Sequence, residues 1–221
     1  CIDSITNQTF KNIEILISDD NSSDGTPEII DEISKNHSNI MIFKQKHSLG
    51  EFGQKKFLLE NSRAKYFQFI DQDDYLDSNN YLEILLSKIS EGYDLVFSNT
   101  SIETYEGSSL IQRRDNIMSP YNNCETKFDY AKATLSEASL IFYALFSTEI
   151  LKYYFSTHYE SLTNNIAFAE GVLGTELSLK QKCLYISDIN KVKTEHGENL
   201  SMSLKSYELL SPYIAYINGI F

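Results

Sequence analysis

The chain has 221 residues, 42% of them hydrophobic, which is enough apolar mass to bury one core and form a single domain rather than a disordered tail. A formal charge of −12 and a pI near 4.8 argue against nucleic acid as a partner, because phosphate backbones are held by clusters of Lys and Arg. The three cysteines, Cys1, Cys124 and Cys183, are odd in number and lack C-x-x-C spacing, so neither a disulfide framework nor a zinc site is indicated and a reducing compartment fits best.

The chain opens inside a helical pattern at Cys1, without a methionine, so its natural start is expected upstream; a lipid-modified cysteine is the alternative. Residues 13–18 are apolar and β-branched and predict a strand. Thr26 is placed to cap a helix whose first residue is Pro27, with Ile29, Ile30 and Ile33 on its apolar face. Residues 40–43 read as a second strand, 53–62 as a helix and 66–70 as a third strand. Leu82, Leu85, Leu86 and Ile89 then recur at i, i+3, i+4 and i+7, and Gly92 ends that helix before a strand at 95–98. This alternation predicts an α/β fold with a Rossmann-like, mostly parallel sheet flanked by helices.

Beyond Asn99 the pattern weakens. Residues 101–123 are polar and turn-rich, with one short strand candidate at 110–112. Helical stretches follow near 130–135, 150–155 and 173–180, then a strand at 183–186 and a C-terminal helix from about Ser206. The chain thus divides into residues 1–100, expected to bind a common ligand, and an irregular α-rich half of the same domain, 101–221, expected to bind a variable one. The longest purely apolar run, 140–146, is too short to span a bilayer, and nothing near the start reads as a signal peptide.

Two strand ends carry the chemistry. The run 67–70 stops at Asp71-Gln72-Asp73-Asp74, three carboxylates within four positions. Like charges packed this closely call for a cation, and hard oxygen ligands suit Mg²⁺ or Mn²⁺, which in turn hold phosphates. About fifty residues earlier, another apolar strand ends in Asp19-Asp20-Asn21-Ser22-Ser23-Asp24-Gly25-Thr26. Ligands of open α/β sheets collect outside the carboxyl ends of the strands, so the two acidic ends predict one site. Read singly, each is also compatible with a solvated turn.

Ser4-Ile5-x-x-Gln8-Thr9, the Asp19–Thr26 loop, and Asp71-x-Asp73-Asp74 followed by Leu76-Asp77 resemble, in order and spacing, the inverting glycosyltransferases of family 2 with the GT-A fold. The resemblance implies a nucleotide-sugar donor, most often UDP-linked. In it Asp20 accepts a hydrogen bond from the base, Asp19 and Asp24 support the loop, Asp71 lies near the ribose or sugar, and Asp73 coordinates the metal with Asp74 beside it. Lys55 stands where the family often has arginine and can bring charge to a phosphate without a bidentate fork. Glu170, in Phe168-Ala-Glu170-Gly171, stands near the family's Glu-Asp pair and is the candidate base for the acceptor hydroxyl, although glycine follows it where the family has aspartate. His196 opens a segment similar to the family's H-x-x-x-x-S-x-S element and is a candidate metal or diphosphate contact. The family's first strand, ending in a Pro-x-Tyr-Asn turn against the base, would precede Cys1; without it the sheet has an uncovered neighbour.

The leading expectation is therefore a Mn²⁺- or Mg²⁺-dependent transferase acting on a glycan or lipid-linked acceptor, cytoplasmic or at the inner face of the membrane, with no transmembrane segment. The alternative is a catalytically silent domain of the same fold that binds a nucleotide sugar or a partner enzyme. A nucleotide-sugar pyrophosphorylase would need a G-x-G-T-R-type loop that the sequence lacks, and a two-carboxylate glycoside hydrolase fits clustered acids poorly.

Overall fold

The computed structural model describes residues 1–136, 140–164 and 166–196. In chain order its elements are α1 (Ile2–Thr6), β1 (Ile15–Asp19), α2 (Thr26–Lys35), β2 (Ile40–Lys44), α3 (Gly50–Asn61), β3 (Tyr66–Phe67), β4 (Tyr75–Leu76), α4 (Tyr81–Ile89), β5 (Leu95–Glu106), β6 (Ser109–Arg114), α5 (Lys127–Ser136), β7 (Leu145–Ser147), α6 (Thr148–Asn164), α7 (Ile166–Lys180) and β8 (Cys183–His196). A 3-10 turn at Leu140–Tyr143 leads into β7. The C-terminal helix expected from Ser206 lies outside the described residues.

The α/β class holds, but the sheet is mixed. β1 and β2 form a parallel pair of their own, and β3-β7-β5-β8-β4 form a second sheet in which β5 also carries β6. Within that sheet only β5 and β8 run parallel; β3–β7, β7–β5, β5–β6 and β8–β4 are antiparallel. The parallel expectation came from the first hundred residues, whereas the second half folds back through the β5–β6 hairpin and the short returns of β7 and β8.

β5 sits at the centre, and alternation along it explains the two cores. Leu95 and Phe97 belong to the core roofed by α3, α5, α6 and α7, with Phe146, Leu151, Tyr154, Leu173 and Leu177. Val96, one residue out of phase, belongs to the opposite core under α4, with Tyr81, Leu82, Leu85 and Ile89. Burial of each such large side chain contributes about 1.5–3 kcal/mol relative to exposure, so α4's apolar face alone suffices to dock it. α2 begins at Thr26 with Pro27 in its first turn, but its cap is Gly25, held at φ +86°, rather than the expected Thr26 side chain. β1 and β3 do not pair. Between them runs an apolar cleft of about 710 Å³, lined on one side by Ile13, Ile15 and Leu16 and on the other by Tyr66, Phe67 and Gln68.

Candidate active site

The first acidic loop leaves β1 at Asp19. This carboxylate is buried; Oδ2 accepts a hydrogen bond from the Ser22 amide at 3.2 Å, while Oδ1 is buried with no hydrogen-bond partner among the described residues. Asp20 is turned the other way, onto the start of α3. It accepts from the Ser48 hydroxyl (2.6 Å), the Leu49 amide (2.6 Å), the Gly50 amide (3.1 Å) and the Gln54 side-chain amide. Helix N-termini expose unpaired N–H groups and carry a positive partial charge, so a carboxylate is well placed there. Partial burial would raise the Asp20 carboxyl, but the hydrogen bonds from Ser48, Leu49, Gln54 and Gly50 together hold it below the ordinary carboxylate range. Asn21 at φ +67° and Gly25 turn the loop back into α2, where Asp24 accepts from the Thr26 amide at 3.2 Å.

The second acidic loop is a tight turn in which the Asp74 amide donates to the Asp71 carbonyl at 3.1 Å. Its carboxylates have different surroundings. Asp74 is fully buried, paired with the Lys191 ammonium at 2.6 Å and accepting from the Thr194 amide at 3.1 Å. The Thr194 hydroxyl donates to the Asp73 carbonyl at 2.7 Å, so β8 grips the turn twice. Asp71 accepts from the Tyr143 hydroxyl at 2.8 Å. Asp73 is pushed above the ordinary carboxylate range, first by desolvation and then by the charges of Asp74 and Asp71. Such a group favours a cation as neighbour.

Lys55, one residue past Gln54 in α3, is buried. It pairs with Glu51 at 2.6 Å and reaches the Tyr143 hydroxyl at 3.4 Å. The first turns of α3 thus touch both acidic loops, Asp20 through Gln54 and Asp71 through Lys55 and Tyr143. His196 closes β8 two residues beyond Thr194, stacked on Tyr105 with ring centroids 5.6 Å apart. Glu170 falls in α7, but its side chain lies outside the described residues; the helix face expected with it is present, Leu173 and Leu177 both being buried. Tyr143, Lys191 and Thr194 went unread in the sequence. Tyr143 is hidden in an apolar run, and Lys191 meets its partner 117 positions away.

Among the described residues no group of three or more His, Cys, Asp or Glu is arranged to hold a metal ion. The oxygen donors of Asp71 and Asp73 nevertheless fit Mg²⁺ or Mn²⁺, which keep several waters and take one or two carboxylates together with substrate phosphates.

Residues 1–155 match the sequence profile of Glycosyl transferase family 2. The GalNAc(5)-diNAcBac-PP-undecaprenol beta-1,3-glucosyltransferase of Campylobacter jejuni is 31% identical over 225 residues, an alignment covering 98% of this chain and 66% of that protein. Among solved structures, S. aureus TarS in complex with UDP-GlcNAc superposes with a TM-score of 0.68 at 17% identity, covering 98% of this chain and 61% of that one. GalNAc-T7 with UDP, GalNAc and Mn²⁺ superposes with a TM-score of 0.60 at 10% identity, covering 98% and 45%. The chain therefore spans 66%, 61% and 45% of the lengths of these three proteins. With the GT-A architecture shared with these structures and the profile match across most of its length, the chain belongs to glycosyltransferase family 2.

Proposed function

We propose that the protein transfers a sugar, with inversion, from a nucleoside-diphosphate donor, a UDP-sugar, to a glycan or lipid-linked acceptor. The observation that carries this reading is that consecutive residues of α3, Gln54 and Lys55, tie the two acidic strand ends into one site. The nucleotide lies over the β1 end. There Asp19 offers a buried acceptor, Oδ1, to a base N–H, and Asp20 shapes the loop, its oxygens already engaged by α3. Asp24 steadies the same loop. Asp71 and Asp73 would hold Mn²⁺ or Mg²⁺, which when bound would offset charge on the diphosphate leaving group. Asp74 keeps the turn in place from within, and Lys55 holds Tyr143 against Asp71. His196, stacked on Tyr105 at the end of β8, is the candidate contact to the metal or diphosphate. Glu170, the fifth residue of α7 rather than one of its first turn, takes the proton from the acceptor hydroxyl.

The lipid-linked acceptor follows the named substrate of the C. jejuni relative, and a place at the inner face of the membrane follows from that acceptor. No helix among the described residues is long and apolar enough to cross a membrane. The test is release of UDP from a panel of UDP-sugars, with Mn²⁺ and undecaprenyl-diphosphate-linked glycans, and the anomeric configuration of the product. UDP release dependent on acceptor, with inversion, is expected. A second reading, a silent domain that binds the donor without transferring it, is favoured by Gly171, which follows Glu170 where the family has aspartate; it predicts donor binding with no release under any acceptor.

A further inference from the structure

Lys191 is among the most buried charges of the molecule, its side chain 3% exposed and that of its partner Asp74 2%. An ion pair so far from water is a poor source of net stability, since desolvation offsets most of the attraction, but breaking it by removing one partner is strongly unfavourable. Its geometry suggests another use. The Lys191 ammonium lies 2.6 Å from Asp74 and 3.9 Å from the centroid of the Tyr143 ring. The Tyr143 hydroxyl in turn donates to Asp71. Both ends of the turn 71–74 are therefore held by one side chain, the C-terminal end by direct charge and the N-terminal end through a cation–π contact and a hydrogen bond.

We propose that Lys191 is a positioning residue of the donor site: it withdraws Asp74 from the acidic turn and fixes Tyr143 on Asp71, so that Asp71 and Asp73 are presented to a divalent cation in one geometry. Charge makes the case. Three carboxylates compete for position within four residues, and neutralising the inward-turned one, Asp74, inside the protein leaves two, a number that Mg²⁺ or Mn²⁺ takes alongside a diphosphate. Thr194, three residues on in β8, adds the hydrogen bonds to Asp74 and to the Asp73 carbonyl that keep the register of turn and strand. Without the ammonium, Asp74 would carry a buried charge lacking its counter-ion and would be driven outward to compete for the cation.

This inference rests on the reading of Asp71 and Asp73 as the metal-holding pair. The experiment is calorimetric titration of UDP into the wild-type protein, Lys191→Met and Lys191→Arg, each in Mn²⁺ and in chelator, with thermal unfolding alongside. Lys191→Met is expected to lower the affinity for UDP in Mn²⁺ by tenfold or more, to leave the affinity in chelator within about twofold, and to be rescued largely by Lys191→Arg, which restores the charge. A folded Lys191→Met that binds UDP in Mn²⁺ like the wild type overturns the inference, as does an equal loss in chelator, which marks general damage to the site. Should Lys191→Met fail to fold, the pair Asp74→Asn with Lys191→Met, which leaves no lone buried charge and no third carboxylate to compete, reads the Tyr143 contact alone: it is expected to lower the affinity in Mn²⁺ by about threefold or more and to leave that in chelator within about twofold, and wild-type affinity in Mn²⁺ overturns the inference. A wild-type protein whose UDP affinity ignores Mn²⁺ overturns the functional reading itself, before any variant is compared.

Discussion

Replacing Asp20 by alanine tests whether the first acidic loop is built as described. The substitution removes the acceptor for the Ser48 hydroxyl, the Leu49 and Gly50 amides and the Gln54 side chain at the N-terminus of α3. Loss of a side chain that caps a helix costs about 0.5–2 kcal/mol, and loss of the charge facing the helix dipole about 0.3–1 kcal/mol. Water can reach the freed donors at this partly exposed position, so a total of about 1–2 kcal/mol is expected, equivalent to a fall in Tm of roughly 2–8 °C for a domain of this size. Because the folded Asp20 carboxyl is held below its ordinary value of 3.8, its stabilisation is fully present above that value and is lost as pH falls through the lower, folded one. The difference between wild type and Asp20→Ala should therefore be constant from neutrality to about pH 5 and close under stronger acid. Circular dichroism melts across that range supply the measurement. Equal Tm values at neutral pH would refute the capping role.

Three further outcomes follow from the packing and the site. Gly174→Ala would place a Cβ 2.3 Å from Ile141 Cγ2 and 3.1 Å from Thr134 Cγ2, so it should destabilise by about 1–3 kcal/mol in chemical denaturation despite alanine's better helix propensity; a stabilised variant would contradict the close approach of α7. Asp19→Asn should weaken uridine binding through the Oδ1 position, and unchanged uridine affinity would move the base elsewhere. Glu170→Gln should leave donor affinity nearly unchanged while lowering transfer by roughly 10²-fold, the scale of a lost general base, and a variant transferring at the parental rate would remove Glu170 from the chemistry.

The sequence was most legible where local pattern and final environment agree. Leu82, Leu85 and Ile89 form the buried face of α4 with Leu86 partly buried beside them, and the charge density at Asp71, Asp73 and Asp74 marks a turn in which desolvation and neighbouring charges push Asp73 above the ordinary carboxylate range. It was least legible where polar residues are buried. The strand expected at 95–98 runs on to Glu106 through Ser98, Asn99, Thr100, Ser101 and Glu103, all buried. Their hydrogen bonds come from distant partners: Ser98 with Tyr81, Asn99 with Asn116, Ser101 with Asp115 and Glu103 with Arg113. Composition reads such a run as a loop because the partners that satisfy it are not local. β8 extends past its expected end at 186 for the same reason, and with it Lys191 and Thr194 escaped notice. Conversely, the strand expected at 66–70 has a ladder only at Tyr66–Phe67, the rest bordering the cleft beside β1. Gly174, which propensity marks as a weak point of α7, is where that helix comes nearest to Ile141.

The central claim is that the two acidic loops form one donor site whose carboxylates would hold a divalent cation beside a diphosphate. Its most direct measurement is the affinity for UDP in Mn²⁺ and in chelator, for the wild type and for Asp73→Asn. The account predicts far tighter binding in Mn²⁺ for the wild type, because carboxylates and diphosphate repel without a bridging cation, and loss of most of that difference in Asp73→Asn. Equal affinity in metal and chelator for the wild type, or a full metal effect in Asp73→Asn, would contradict it.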